Sequence, residues 1–347
     1  MPLTMRSWSM NQYCYAKVWF RTHSVDLRKT DISKITSSAK SWLYADMLLK
    51  PEEMVMVRDV QSGGLGVHHV GMKALAGLIR TFLETACNTK FQQSLYHQLL
   101  LRYYVFEDHS IPNPGRPPFY NADFFAAIQQ VHQNSPLNIA GLTEGQWYKL
   151  LTEDKITMEV VEGQSRQLMS CRVELASPTT DWEVTWRRAR LKGLGPELTS
   201  FLFKVLHQLL ATKERIARTN PTVSSSCKAP GCMGEEKEDI VHALVNCHGN
   251  RGTGRAVLDC VTRYVTELTD EQAVRLQFDT EESLELPVVW FLAVSWTSIW
   301  EARVLGRRPE LYMVRADLEA KVSLLRETRK FKNEAEIIST IIENLSM

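Results

Sequence analysis

CKAPGCMGEEKEDIVHALVNC, residues 227–247, sets three thiols and one imidazole in the pattern C-x4-C-x9-H-x4-C. Cys227, Cys232, His242 and Cys247 are together the ligand set of a closed tetrahedral zinc site. Four protein donors leave no open coordination position, so the pattern points to one structural zinc ion and away from a catalytic one. Pro230-Gly231 supplies a tight turn between the first two ligands. Glu238-Asp239 precede an apolar helical turn, Ile240–Val245, where negative residues suit a helix N-terminus. On that helix His242 and Cys247 are about 140° out of phase. Both can reach one ion only if the helix stops near Asn246 and the chain folds back; His248-Gly249-Asn250 gives the stop signal. An ion held this way contributes roughly 10–16 kcal/mol of apparent folding energy in small peptides, so the local fold is expected to depend on metal.

Composition bounds the rest. The 347 residues are 44% hydrophobic, enough to bury a large core, and a net charge of +1 means that overall electrostatics select no partner. The seven cysteines are an odd number; Cys14, Cys87, Cys171 and Cys260 are scattered while the other three surround a histidine. That distribution, with no signal peptide at the start, is expected of an intracellular, reduced protein with one metal site. The most apolar run, Leu286–Trp300, is short for a bilayer span and reads as a buried helix, so no membrane partner is expected.

Working outward, Met72, Leu75, Ile79, Phe82 and Ala86 form one apolar helical stripe after the break Ser62-Gly63-Gly64-Leu65-Gly66. Leu198, Phe201, Leu202, Val205, Leu206 and Leu209 form another, leading into the cysteine cluster. ITMEVVEG and QLMSCRVEL alternate around Gly163-Gln164 and predict a small β-hairpin. The class is mostly α with minor β. Four consecutive segments are expected: a helical region over 1–118, a linker region with the hairpin over 119–196, a helix plus zinc knuckle over 197–260, and a helical tail over 261–347.

The cluster, the preceding LLATKERIARTNPTVSSSC and the following Trp-rich helix resemble the C-terminal region of LINE-type (non-LTR) retrotransposon reverse transcriptases. SGGLGVHHVGMKALAGLIRTFL is similar to the Gly-Gly-Leu-Gly segment and helix that follow the polymerase palm in that family. NQYCYAKVWFRTHSVDLRKTDISKITSSAKSWLYADML resembles the thumb-region helices, and SIWEARVLGRRPELYMVRADLEAKVSLLRETR the charged tail, most like copies in fish genomes. The resemblance covers essentially the whole chain. It implies a thumb-like region over 1–118, RNA or DNA as partner, and work in the nucleus. The palm aspartates that hold two Mg²⁺ ions and the endonuclease lie upstream in the family, so the chain is expected to be a truncated, non-catalytic part without a small-molecule substrate.

Three motifs imitate catalytic ones. Tyr44-Ala45-Asp46 offers one aspartate where a polymerase needs a pair, on a helical segment. Glu310, Glu319 and Lys321 have the ingredients of an Mg²⁺-dependent nuclease, but Leu318, Val322 and Leu325 give helical spacing where such sites need strands. The Gly63–Gly66 run lacks the Lys-Ser/Thr of a phosphate loop. Trp290, Trp296 and Trp300 lie in the most apolar segment and read as core. For phosphate neutralisation the informative feature is the basic run beside the knuckle, with Arg187, Arg188, Arg190, Lys213, Arg215, Arg218 and Lys228 as candidate nucleic-acid contacts. A second basic excess includes Arg303, Arg307, Arg308, Arg326 and Arg329. The alternative is an inactive structural or interaction protein whose zinc only holds the fold.

Overall fold

The computed structural model describes all residues except 23–26, 46, 49, 52, 88–91, 116–119, 121, 135–138, 154–179, 235, 251, 267 and 346–347. Among the described residues the α-helices, in chain order, are α1 (Leu3–Ser9), α2 (Ala16–Thr22), α3 (Lys29–Leu43), α4 (Glu53–Val57), α5 (Val70–Cys87), α6 (Gln92–Tyr104), α7 (Ala122–Asn134) and α8 (Glu144–Glu153). They continue with α9 (Trp182–Arg188), α10 (Gly195–Leu206), α11 (Lys213–Thr219), α12 (Thr253–Val261), α13 (Asp270–Val274), α14 (Glu282–Val304), α15 (Leu311–Glu327) and α16 (Lys332–Glu343). The fold is mostly α. Among the described residues β-structure is limited to the isolated bridges Ser226–Lys237 and Thr266–Asp279. The hairpin expected over 156–175 lies outside the described residues.

The chain gathers into two compact units that interleave in sequence. One comprises Arg6–Ala45 and Gly66–Ser170; the other comprises Met1–Met5, Asp46–Leu65 and Cys171–Met347. The segments expected as a separate knuckle and a separate tail fall in the same unit.

In the first of these, α5 is the central element because its apolar residues recur on one face: Met72, Ile79, Phe82 and Ala86 are buried, as their spacing predicts. Its first turn is capped by a side chain, since the Met72 amide donates to His69 Nδ1 at 3.2 Å. Phe82 is the hub of an aromatic cluster, with the rings of Tyr120, Phe124 and Phe125 edge-on at 5.1, 5.3 and 5.9 Å. This edge-to-face arrangement is the one ring quadrupoles favour. Helices α6, α7 and α8 pack against α5, and α8 contributes the fully buried Trp147 and Leu151.

The second unit is organised by α14. Its apolar residues run all round the helix, so it needs partners on every side. It finds them in α10, α12, α15 and α16. Trp290 and Trp296 are core, as expected. By length and hydropathy α14 could cross a bilayer, but 72% of its most apolar window is buried inside the protein. The tail helices pack on it through Val314, Leu318 and Val322 of α15 and Ile338, Ile341 and Ile342 of α16.

The Gly-Gly-Leu-Gly run opens on a turn at Gly63 and is also a packing surface. Gly63 sits at φ +84° and carries the Trp186 ring so closely that a Cβ would stand 2.4 Å from it. The Gly63 carbonyl meets His207 Nε2 at 2.8 Å, and Trp182, Trp186 and His207 form a stacked series with centroids 5.2 and 4.8 Å apart.

Candidate metal centre

One donor atom from each of Cys227, Cys232, His242 and Cys247 lies within 4.8 Å of all the others. Zinc bonds of roughly 2.3 Å to sulfur and 2.0–2.1 Å to nitrogen give tetrahedral edges of about 3.8 Å for S···S and about 3.6 Å for S···N. The Cys227 and Cys247 sulfurs are 3.7 Å apart, and Cys232 Sγ is 3.7 Å from His242 Nε2. Two edges therefore have the length that a single tetrahedral ion requires. The donor set is the one zinc takes in closed structural sites.

Backbone geometry explains how the sequence reaches this arrangement. Two short extended stretches pair across the Ser226–Lys237 bridge, with the Cys227 amide donating to Glu236 O at 3.0 Å and the Glu238 amide to Ser225 O at 2.9 Å. Between them the Cys232 amide closes a turn onto Ala229 O at 3.0 Å, and Gly231 takes the φ of +86° that such a turn demands after proline. The Pro-Gly turn thus stands as read. Two amides also fold back on sulfur: Ala229 donates to Cys227 and Gly249 to Cys247, each donor two residues past its cysteine. Such bonds favour the thiolate, the form that binds metal.

The phase problem between His242 and Cys247 is resolved by a device the spacing did not reveal. His242–Asn246 is a π-helical turn, and Cys247 leaves it in extended conformation. A π turn closes i to i+5, so it brings residues five apart towards one face. The helix stops after Asn246, as expected. Asp239 caps its start, since Oδ1 accepts the His242 amide at 2.7 Å.

Groups outside the ligand set complete the site. Glu236 Oε2 lies 2.7 Å from His242 Nδ1. The carboxylate fixes the proton on Nδ1 and turns the Nε2 lone pair towards the sulfurs. Arg303, near the end of α14, has a largely buried side chain. Its guanidinium is 3.5 Å from Cys227 Sγ, 3.4 Å from Glu238 Oε2 and 3.2 Å from Asn250 Oδ1. A dication held by three thiolates and a neutral imidazole would leave one negative charge, which Arg303 would face with a positive one. Burial pushes the Cys227 thiol up; Cys247 is also buried, yet the His242 imidazole and the Arg303 guanidinium beside it outweigh burial and bring it down.

Sequence reasoning missed Glu236 and Arg303. The first was findable, because a ligating histidine needs a partner for its second nitrogen and the segment before it is rich in carboxylates. For Arg303 the sequence holds no signal: it comes from a helix far along the chain, where it reads as part of the second basic excess.

The candidate nucleic-acid contacts divide. Arg188 is buried, donating to Glu285 Oε1 at 2.9 Å and to Leu276 O at 2.8 Å while lying 4.5 Å above the Phe278 ring. Arg190 donates to Gly64 O, and its burial brings its pKa down to about 10. Both point inward and are corrected from contacts to structural residues. Arg187 forms two bonds to Glu285, at 2.8 and 3.1 Å, with about half its side chain exposed. Lys228 and Arg218 are exposed, and Lys213 and Arg215 half-buried. Arg218 pairs with Glu214 at 2.8 Å.

The catalytic imitations also resolve. Glu319 and Lys321 lie within α15, Glu310 immediately precedes it, and Glu319 pairs with Arg315 at 2.9 Å. The strand context that a nuclease of this type needs is missing from that segment, and the nuclease reading is withdrawn. Tyr44 is fully buried at the end of α3. His69 is the cap of α5, and His68 packs edge-on against Tyr148 at 5.1 Å.

No protein-family model matches the chain, and no curated protein matches it.

Proposed function

We propose that the chain is the non-catalytic, zinc-stabilised, nucleic-acid-binding C-terminal region of a LINE-type reverse transcriptase. The observation that carries the metal half of the reading is the convergence of Cys227, Cys232, His242 and Cys247 within 4.8 Å, with Glu236 on the second histidine nitrogen. Four protein donors make the ion structural. The nucleic-acid half rests on the family resemblance and on the cations that remain at the surface of this unit. Among them are Lys228 inside the ligand loop, Arg218, and Arg308, whose guanidinium lies against Gly231. Cations of this kind neutralise phosphate without reading sequence, so binding should weaken steeply as salt rises.

The test joins two measurements on the full chain. Metal analysis of protein purified without added metal should give one zinc per chain. Fluorescence anisotropy with labelled single-stranded RNA and DNA at low salt should give saturable binding that chelation abolishes. Zinc without binding would leave the second reading, a structural or interaction protein. The inward commitment of Arg188 and Arg190, which removes two cations from the surface, is the observation that favours that alternative.

A further inference from the structure

Beside the metal centre lies a cavity of about 250 Å³, walled by α9, α11, α13 and the residues that lead into the π turn. Asp239 belongs to both: it lines the cavity and caps the turn that carries His242. Apolar, aromatic and charged groups converge here, the last including the carboxylates of Glu214, Asp239 and Glu271 as well as arginines. Val205, Val241 and Val274 are among the residues that make an apolar wall. Trp182 presents an aromatic surface, held in orientation by stacking on Trp186 with an interplanar angle of 25°. Arg218 and Arg275 bring guanidinium groups to the lining.

Those two arginines are engaged in i,i+4 pairs, Arg218 with Glu214 at 2.8 Å and Arg275 with Glu271 at 2.6 Å. Such pairs are worth only a few tenths of a kcal/mol, so a phosphate, which accepts two parallel bonds from a guanidinium, can take the place of the carboxylate. An aromatic plane and an apolar wall receive a flat base; the arginines receive its phosphate. The volume lies below the roughly 300–1,000 Å³ of drug-sized sites, which suits one base and not a base pair.

We infer that this cavity is a binding site for one unstacked nucleotide of a single-stranded nucleic acid, with its base beside Trp182 and its phosphate on Arg218 and Arg275. The inference rests on the nucleic-acid reading above and adds to it a base-dependent contact. In that role the metal does not touch the ligand. It fixes the π turn, and the turn places one wall of the cavity.

The experiment compares, on the zinc-loaded full chain, a short single-stranded oligonucleotide with the same backbone made wholly of abasic residues. Stacking of one base corresponds to about five- to 150-fold in affinity. The intact strand should therefore bind about tenfold or more tightly than the abasic one. Trp182→Leu should reduce that ratio towards one while leaving abasic binding and zinc content unchanged. Arg275→Gln should weaken the intact strand. Equal affinity of the two strands for the unaltered chain overturns the cavity site and leaves backbone binding standing. No binding of either strand overturns both. A ratio that survives Trp182→Leu places base recognition elsewhere and also overturns the inference.

Discussion

The loop from Lys228 to Lys237 and the aromatic cluster around Phe82 reach order by opposite routes. In the loop no described side chain is buried, and Met233 is 83% exposed. Around Phe82, the side chains of Phe124, Phe125 and Trp147 are 3% exposed or less. The cluster is held by removal of apolar surface from water, shared over many contacts, each of them small. The loop has no such reservoir. Its organising contacts are amides folded back on sulfur, one bridge, one turn and the four donors. The difference teaches that the two regions should fail under different perturbations: one under loss of apolar volume, the other under loss of metal.

The largest effect should follow from taking the ligands away. Chelation, or Cys247→Ser, should release the zinc and remove stabilisation on the scale of about 10 kcal/mol locally. Hydrogen exchange should then accelerate at the Cys227, Cys232 and Glu238 amides and stay unchanged at those of α5. Equal loss of protection in both places would break the comparison. Next in size, Phe82→Ala should cost about 3–5 kcal/mol by urea unfolding, because a fully buried ring is replaced by a cavity. Zinc content should remain at one per chain.

A smaller change sharpens the metal side. Glu236→Gln keeps the shape of the group bonded to His242 Nδ1 but removes its charge. Zinc affinity should fall about 10–100-fold in competition with a chromophoric chelator, with the fold retained at saturating metal. Unchanged affinity would mean that the carboxylate does not act through the imidazole.

The smallest effect concerns pH on the aromatic side. Burial first, and then Lys73, holds the His68 imidazole below the usual histidine range, with Glu144 acting in the opposite direction. A group with a lowered folded pKa binds its proton more readily when unfolded. Its contribution is therefore nil above the unfolded value near 6.5 and turns unfavourable as pH falls below it. Urea midpoints should drop between pH 7 and 5.5, and His68→Phe should flatten that slope.

How much of this was legible can be traced residue by residue. The ligand set was readable because metal chemistry accepts few residue types and the four lie close in sequence. The buried nature of Trp290 and Trp296 was readable because a run apolar on every face has no other stable place. The π turn was not, since the spacing of His242 and Cys247 demanded only some departure from α geometry. Arg188 and Arg190 look identical in sequence to Arg218, yet two turn inward and one outward. The choice is made by Glu285 and Gly64, about 97 and 126 residues away, whose positions no local pattern encodes.

The sequence by itself determined the mostly helical class, the four candidate metal donors, the Pro-Gly turn and the helix stop after Asn246. These follow from residue chemistry within one or two turns of chain. Only the tertiary structure decided that Glu236 and Arg303 stand beside the candidate metal donors, that Gly63 must be bare beneath Trp186, and that a cavity opens beside Asp239. Each of those depends on groups brought together from distant segments, and distance along the chain erases the pattern from which a local reading works.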